Sequence, residues 1–232
     1  MKSVDTEAGF SQARAQRESA VSETRRNLIL DAARSAFLDL GLDGASLREI
    51  AKRAGYTPGA IYTYFANLEE IYGALLSESL LRLKEAVDAA ASHDHVESSG
   101  HALHAKARAF YLFYRDHPKD LDLGFYLFNG VRPRGLTPEL NRKLNGQLLS
   151  ALQPLQQSLE ASGVPHQDAI AETTGIFAHI VGTLMLSNTG RIRLFGQDPD
   201  HLFERHMDAV VERVSARRDG AELHASQAEH AS

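Results

Sequence analysis

The chain has 232 residues, enough for one large domain or two smaller ones. It is 43% apolar and 24% charged, as befits a chain that buries a real core, and its net charge of -5 argues against indiscriminate binding to polyanions without excluding a local basic surface. It contains no cysteine, which excludes disulfides, thiolate zinc sites and cysteine nucleophiles and fits a reducing compartment.

The opening MKSVDTEAGFSQARAQRESA lacks the apolar centre of a signal peptide. It is polar, Ala-rich and without apolar periodicity, so residues 1–21 read as a mobile N-terminal arm. The most apolar stretch, GIFAHIVGTLMLS (Gly175 to Ser187), reads as too short to cross a bilayer and carries His179, which points to a cytoplasmic protein. From Leu28 a helical stripe begins: Leu28, Ile29, Ala32, Ala33, Ala36, Phe37 and Leu40, with Gly41 as a left-handed C-cap. Ser46 and Glu49 form a capping box for a second helix, whose buried face is Leu47, Ile50, Ala51 and Ala54 and whose end is Gly55. Thr57 as N-cap and Pro58 at the first helical position start a very short third helix. Asn67 and Glu70 start a fourth, which runs through Leu75, Leu76, Leu80 and Leu83.

Two helices joined by a tight turn containing glycine are the frame of a helix-turn-helix, whose second helix enters the major groove of DNA. In that frame the stretch AKRAGYTPGAIYTYF acquires a purpose. Gly55 permits the turn. The small residues Thr57, Pro58, Gly59 and Ala60 let the start of the third helix press close to bases and phosphates, with free N–H groups that favour anions. Ile61 and Phe65 are predicted to face the core, while Tyr62 and Tyr64 lie off that axis, where a phenol reaches phosphate oxygens. Arg48, Lys52 and Arg53 are predicted on the exposed side of the second helix as phosphate or guanine contacts, with Arg25 and Arg26 adding charge nearby.

Residues 25–79 resemble the DNA-binding domain of the TetR family of bacterial transcriptional regulators. The likeness rests on ILDAARSAFLDLGLDGASLREIAKRAGYTPGAIYTYFANLEEIY: the Ala/Phe-striped first helix, the Gly-x-x-Gly loop, the S-LREIAKRAG helix, the short recognition helix and the Y-x-YF-x-N-x-EE junction. The resemblance implies DNA contacts at Ser46, Arg48, Thr57, Pro58, Gly59, Ala60, Tyr62 and Tyr64. One departure is Leu68, where family members often place a lysine against a phosphate.

Beyond a polar, His-rich connector from Ser92 to Gly100, helical patterns recur at about 102–115, 121–131, 138–161, 167–189 and 199–217, bounded by Pro or Gly. Nothing alternates as a strand does. The expected fold is all-α: a three-helix N-terminal helix-turn-helix domain (residues 22–80, motif about 46–65), a larger C-terminal helical domain (81–218) and a flexible tail (219–232). Seven of the seventeen aromatic residues fall between Phe110 and Phe128. Phe110, Phe113, Tyr114, Phe125, Tyr126 and Phe128, with Phe177, are candidates for an effector pocket, which TetR-like regulators generally carry in this domain; a solid core is the equal alternative. A two-fold dimer on a palindromic operator is expected, with Gly175, Ala178, His179, Gly182, Leu186, Val210 and Val214 as candidate interface residues on the last two long helices. By the resemblance, repression relieved by a hydrophobic or aromatic small-molecule effector is the expected behaviour, passed through residues 68–83.

Two other readings compete. His93, Asp94, His95, His101 and His104 would suit a metal-responsive regulator; His201 and His206, roughly 140° apart on a helix, are poorer partners. A helical interaction protein that does not bind DNA would leave the crowding of small residues after Gly55 unexplained. No phosphate loop, nucleophile elbow or His-Glu-x-x-His is present, so no catalytic residue, cofactor or metal is assigned.

Overall fold

A computed structural model describes residues 4–90, 99–125 and 136–230. Among them every regular element is helical: α1 (Val4–Gly44), α2 (Leu47–Ala54), α3 (Pro58–Ile61), α4 (Leu68–Ala90), α5 (Ser99–Asp116), α6 (Pro118–Phe125), α7 (Pro138–Ala161), α8 (His166–Asn188) and α9 (Pro199–His230), with a 3₁₀ turn at Ile192–Phe195. The described residues divide into two compact units, the first running to Leu76 and including Leu136, the second comprising Ser77–Phe125 and the residues from Thr137, so that α4 contributes to both.

The stripe read from the sequence is buried at Ile29, Ala32, Ala33 and Ala36, whereas Leu28 and Leu40 at its ends are exposed and Leu30, outside it, is buried. Ile29, Leu30, Ala33 and Ala36 of α1 are buried with Ile50 and Ala51 of α2, Ile61 of α3, and Ile71 and Leu75 of α4. Two expectations are corrected here. The segment expected as a mobile arm is helical from Val4 and continuous with α1. Gly41 does break α1, but at φ 69 and ψ 168, a backbone region open to glycine and outside the left-handed helical well.

The second unit packs α5 against α7 and α9, and α8 against α7 and α9. Tyr111 of α5 stacks on Phe203 of α9 at 4.4 Å between ring centroids and donates a hydrogen bond to Asp200 (2.6 Å), which also accepts from Arg115 (2.9 Å). Burial pushes the Tyr111 phenol well above its ordinary pKa and so keeps it a donor. Lys106 ties α5 to α7 by donating to the Pro154 carbonyl (3.1 Å) and Ser158 Oγ (2.7 Å). The helix expected to fray from Asp219 continues to His230. The apolar stretch read as too short for a membrane lies in the 23-residue α8, which by length and composition alone is long enough to cross one. One face of α8 is buried in the core of this unit through Ala169, Thr173, Ile176, Ile180 and Leu184.

Candidate nucleic-acid interface

The turn between α2 and α3 is held by its own backbone. Gly55 adopts φ 72 and ψ 24, and the Tyr56 N–H donates back to the Ala51 carbonyl (2.9 Å), closing α2 in a left-handed cap. A Cβ at Gly55 would meet nothing within 4 Å, so glycine is required there by the dihedral and not by crowding. Thr57 Oγ1 then accepts from the Ala60 N–H (3.3 Å), and Pro58 occupies the first position of α3. Ser46 Oγ accepts from the Glu49 N–H (3.2 Å), so half of the expected capping box forms; the Glu49 carboxylate goes to Arg53. At the start of α4, Asn67 Oδ1 accepts from the Glu70 N–H and Glu70 Oε2 from the Ala66 N–H, both at 2.8 Å.

These caps present one surface. Ile61 and Phe65 are buried and anchor the short helix. Thr57, Pro58 and Gly59 are exposed, Ala60 and Tyr64 are half-buried, and Tyr62 is 58% exposed. Ser46, Arg48 and Lys52 are exposed on α2. All eight residues expected to touch DNA are thus at least partly accessible, and none is consumed by the core. Arg53 is the exception among the predicted basic contacts: its guanidinium bonds Asp39 (2.6 Å), Glu49 (2.9 Å) and Ser35 (3.0 Å), and it pins α2 to α1. Sequence reasoning missed this because Ser35 and Asp39 lie a loop away in the chain. Arg26 lies over the Phe65 ring, 5.1 Å from its centroid, and so braces the end of the recognition segment.

In the second unit, Phe110, Phe113 and Tyr114 are buried and contact one another edge to face, with ring centroids 5.3 Å apart for Phe110–Tyr114 and 5.2 Å for Phe113–Tyr114. Phe177 meets Phe110 at 5.9 Å. The side chain of Phe125, and Tyr126 and Phe128 entirely, lie outside the described residues. A groove of about 700 Å³ that the sequence did not suggest opens between α7 and α8, with Leu149, Leu152, Ile170 and Phe177 as apolar lining and Gln153, Gln156 and Thr173 among the polar groups. Thr173 Oγ1 is buried without a hydrogen-bond partner among the described residues.

The expected dimer residues divide. Gly175, Ala178 and Leu186 are exposed on the outer face of α8, and Gly182 is half-buried. Val210 and Val214 are corrections: both are buried within their own subunit and present nothing to a partner. His179 turns inward and stacks on His206 of α9 at 3.8 Å between centroids. His93, Asp94 and His95 lie outside the described residues, and His104 bonds Glu204 (2.8 Å). Among the described residues no three metal-ligating side chains converge.

Residues 29–75 match the model of bacterial regulatory proteins of the tetR family, and residues 103–210 match the tetracyclin repressor-like C-terminal domain. The repressor AcnR of Corynebacterium diphtheriae is 36% identical over 63 residues, covering 27% of this chain and 33% of the relative. The repressor BepR of Brucella suis is 36% identical over 74 residues, covering 32% of this chain and 35% of the relative. The aligned segment thus spans about a third of these curated relatives. The solved tetR-family regulatory protein from Rhodococcus RHA1 shares the fold, with TM-score 0.63 and 22% identity over 82% of this chain and 96% of that one. With both its N-terminal and its C-terminal segment matched, the chain belongs to the TetR family of bacterial regulatory proteins.

Proposed function

We propose that the protein is a cytoplasmic, non-enzymatic transcriptional regulator that reads a palindromic operator as a homodimer and represses until a hydrophobic or aromatic small molecule releases it. The observation that carries this reading is the surface of residues 57–64. Exposed Thr57, Pro58 and Gly59 allow close approach, Tyr62 stands clear of the core, and buried Ile61 and Phe65 fix the short helix beneath them. The exposed cations Arg48 and Lys52 flank it. No core demand explains so small and open a helix start, whereas fitting into a groove does.

The outer face of α8 supports the dimer. Glycine inside a helix costs roughly 0.5–1 kcal/mol relative to alanine. A Cβ at Gly175 or Gly182 would meet nothing within 4 Å, so packing inside the subunit does not call for glycine at either place. Close approach of a second helix does, and exposed Ala178, Met185 and Leu186 extend the same apolar face.

For the effector, the groove between α7 and α8 has the size and mixed lining of a small-molecule site. Phe177 lines it and also touches Phe110, so a ligand displacing that ring would reach the aromatic core. The unpartnered Thr173 hydroxyl offers a polar contact. A ligand that prefers one position of α4 shifts the equilibrium of a helix that serves both units.

Selection from a random duplex pool at near-physiological salt tests the reading, and enrichment of a two-fold palindrome is the expected result. Tyr62→Ala is expected to lower operator affinity about tenfold, within the range for a lost contact, while leaving the melting temperature unchanged. Equal affinity in that variant would remove the recognition segment from the interface.

A further inference from the structure

The N-terminal extension of α1 poses a physical problem. From Gln12 to Asn27 the residues whose exposure is described are exposed, apart from Arg26 against Phe65. An isolated helix of this length is marginal in water, because propensity alone barely sustains it. Its internal support is thin: Arg14 pairs with Glu18 (2.9 Å), and Thr24 Oγ1 donates to the Ala20 carbonyl (2.8 Å).

The side chains on this extension are segregated. At 100° per residue, Arg14, Arg17, Val21, Arg25 and Leu28 fall within roughly 80° of one another; Glu23 falls on the opposite side, and Glu18 borders the stripe about 20° beyond Arg25, paired with Arg14. Val21 and Leu28 are half exposed, at 50% and 49%. The core-facing residues Ile29, Ala33 and Ala36 occupy a neighbouring face, and buried Ala32 continues the line of the stripe into the core, but Arg14, Arg17 and Arg25 are themselves exposed and are not used by the core. Arg26 fixes where the extension leaves the body, because its guanidinium lies over Phe65 at the end of the recognition segment.

We infer that this arginine stripe is a second DNA contact, which grips the phosphate backbone of the duplex beside each operator half-site. The inference rests on the DNA-binding reading of the α2–α3 surface and adds to it. A polyanion is the partner whose charge complements three arginines on one face, and the short apolar Val21 between them packs on sugars without hindering approach. Arg14 and Arg25 are about 17 Å apart along the helix axis, which corresponds to roughly five base pairs of flanking duplex. Contacts of this kind position without reading sequence, so the flanks require length and not a motif.

The test uses the full chain, its selected palindrome, and the same palindrome carrying six arbitrary base pairs on each side. Wild-type protein should bind the extended duplex at least tenfold more tightly than the bare palindrome. Each neutralised phosphate adds about 0.9 to the slope of log affinity against log salt concentration. The variant Arg14→Ala/Arg17→Ala/Arg25→Ala, exposed at all three sites, should lose the preference for flanks and about 2–5 from that slope while still selecting the same palindrome. Arg14→Lys/Arg17→Lys/Arg25→Lys should restore the slope. A slope within one of wild type in the alanine variant overturns the inference, as does a loss that the lysine variant fails to restore. Failure of the wild type to enrich any palindrome would instead strike the DNA-binding reading itself.

Discussion

The guanidinium of Arg53 engages oxygens from two helices, Ser35 and Asp39 on α1 and Glu49 on α2. These bonds raise its pKa further above an already basic value, led by Glu49 and then Asp39, so it is a fixed cation at every accessible pH. With its side chain only 23% exposed and its Nε and Nη1 engaged, it holds the angle between α1 and α2 instead of meeting phosphate. Arg53→Met is therefore expected to lower the melting temperature and leave the salt slope of operator binding unchanged. A normal melting temperature with a slope reduced by about one would make it a phosphate contact after all. At this same scale Ser46, Thr57 and Asn67 were legible from residue type alone. A cap is a local bond within three residues, and each of the three side chains accepts the N–H three positions on.

Helix α9 meets α8 through a pair of imidazoles. His179 and His206 stack nearly parallel, 10° apart, with Thr183 Oγ1 3.4 Å from His179 Nε2. His206 Nε2 is buried without a partner among the described residues. Nearby, Arg213 bonds Glu172 (3.1 Å). Burial is the leading reason both rings are held below their ordinary pKa, and for His206 the neighbouring His179 and Arg213 add to it. The sign follows from proton uptake. Above pH about 6.5 both states are neutral. Below it the unfolded chain takes up protons that the folded protein resists, so stability falls as pH drops through and below that value. Melting temperatures at pH 7.5, 6.5 and 5.5 should therefore decline for wild type. His206→Phe keeps an aromatic ring in the stack without a titrating group and should show a visibly smaller decline; an equal decline would assign the acid sensitivity to other groups. Periodicity placed these helices well but gave no hint of the stack, because two rings from separate helices meet only when the helices pack.

At the scale of the molecule, the dimer proposed on the outer face of α8 is open to test by a single substitution. Gly182 has open space above it, so Gly182→Arg is expected to leave the subunit folded. On the dimer reading the variant sediments as a monomer and loses operator affinity by at least tenfold, since each half-site reader alone binds weakly. Persistence of a dimer in sedimentation would move the interface off this face.

The amino-acid order by itself determined that the chain is helical, where α2, α3, α7 and α8 begin and end to within a residue or two, and that a short, small-residue helix follows Gly55. Caps, glycine dihedrals and 3.6-residue stripes are local, so each is written within a few neighbouring residues. Tertiary structure alone decided which side of an amphipathic residue faces a neighbour. It put Arg53 in a bridge to α1, Val210 and Val214 inside the subunit, and His179 against His206. It also opened the groove between α7 and α8. The extension before Leu28 misled in the same way: without an apolar stripe it read as unstructured, yet its backbone continues α1 as a helix with the arginines on one side. A stripe shows that a face exists; what meets it depends on residues far away in the chain, brought near only by packing.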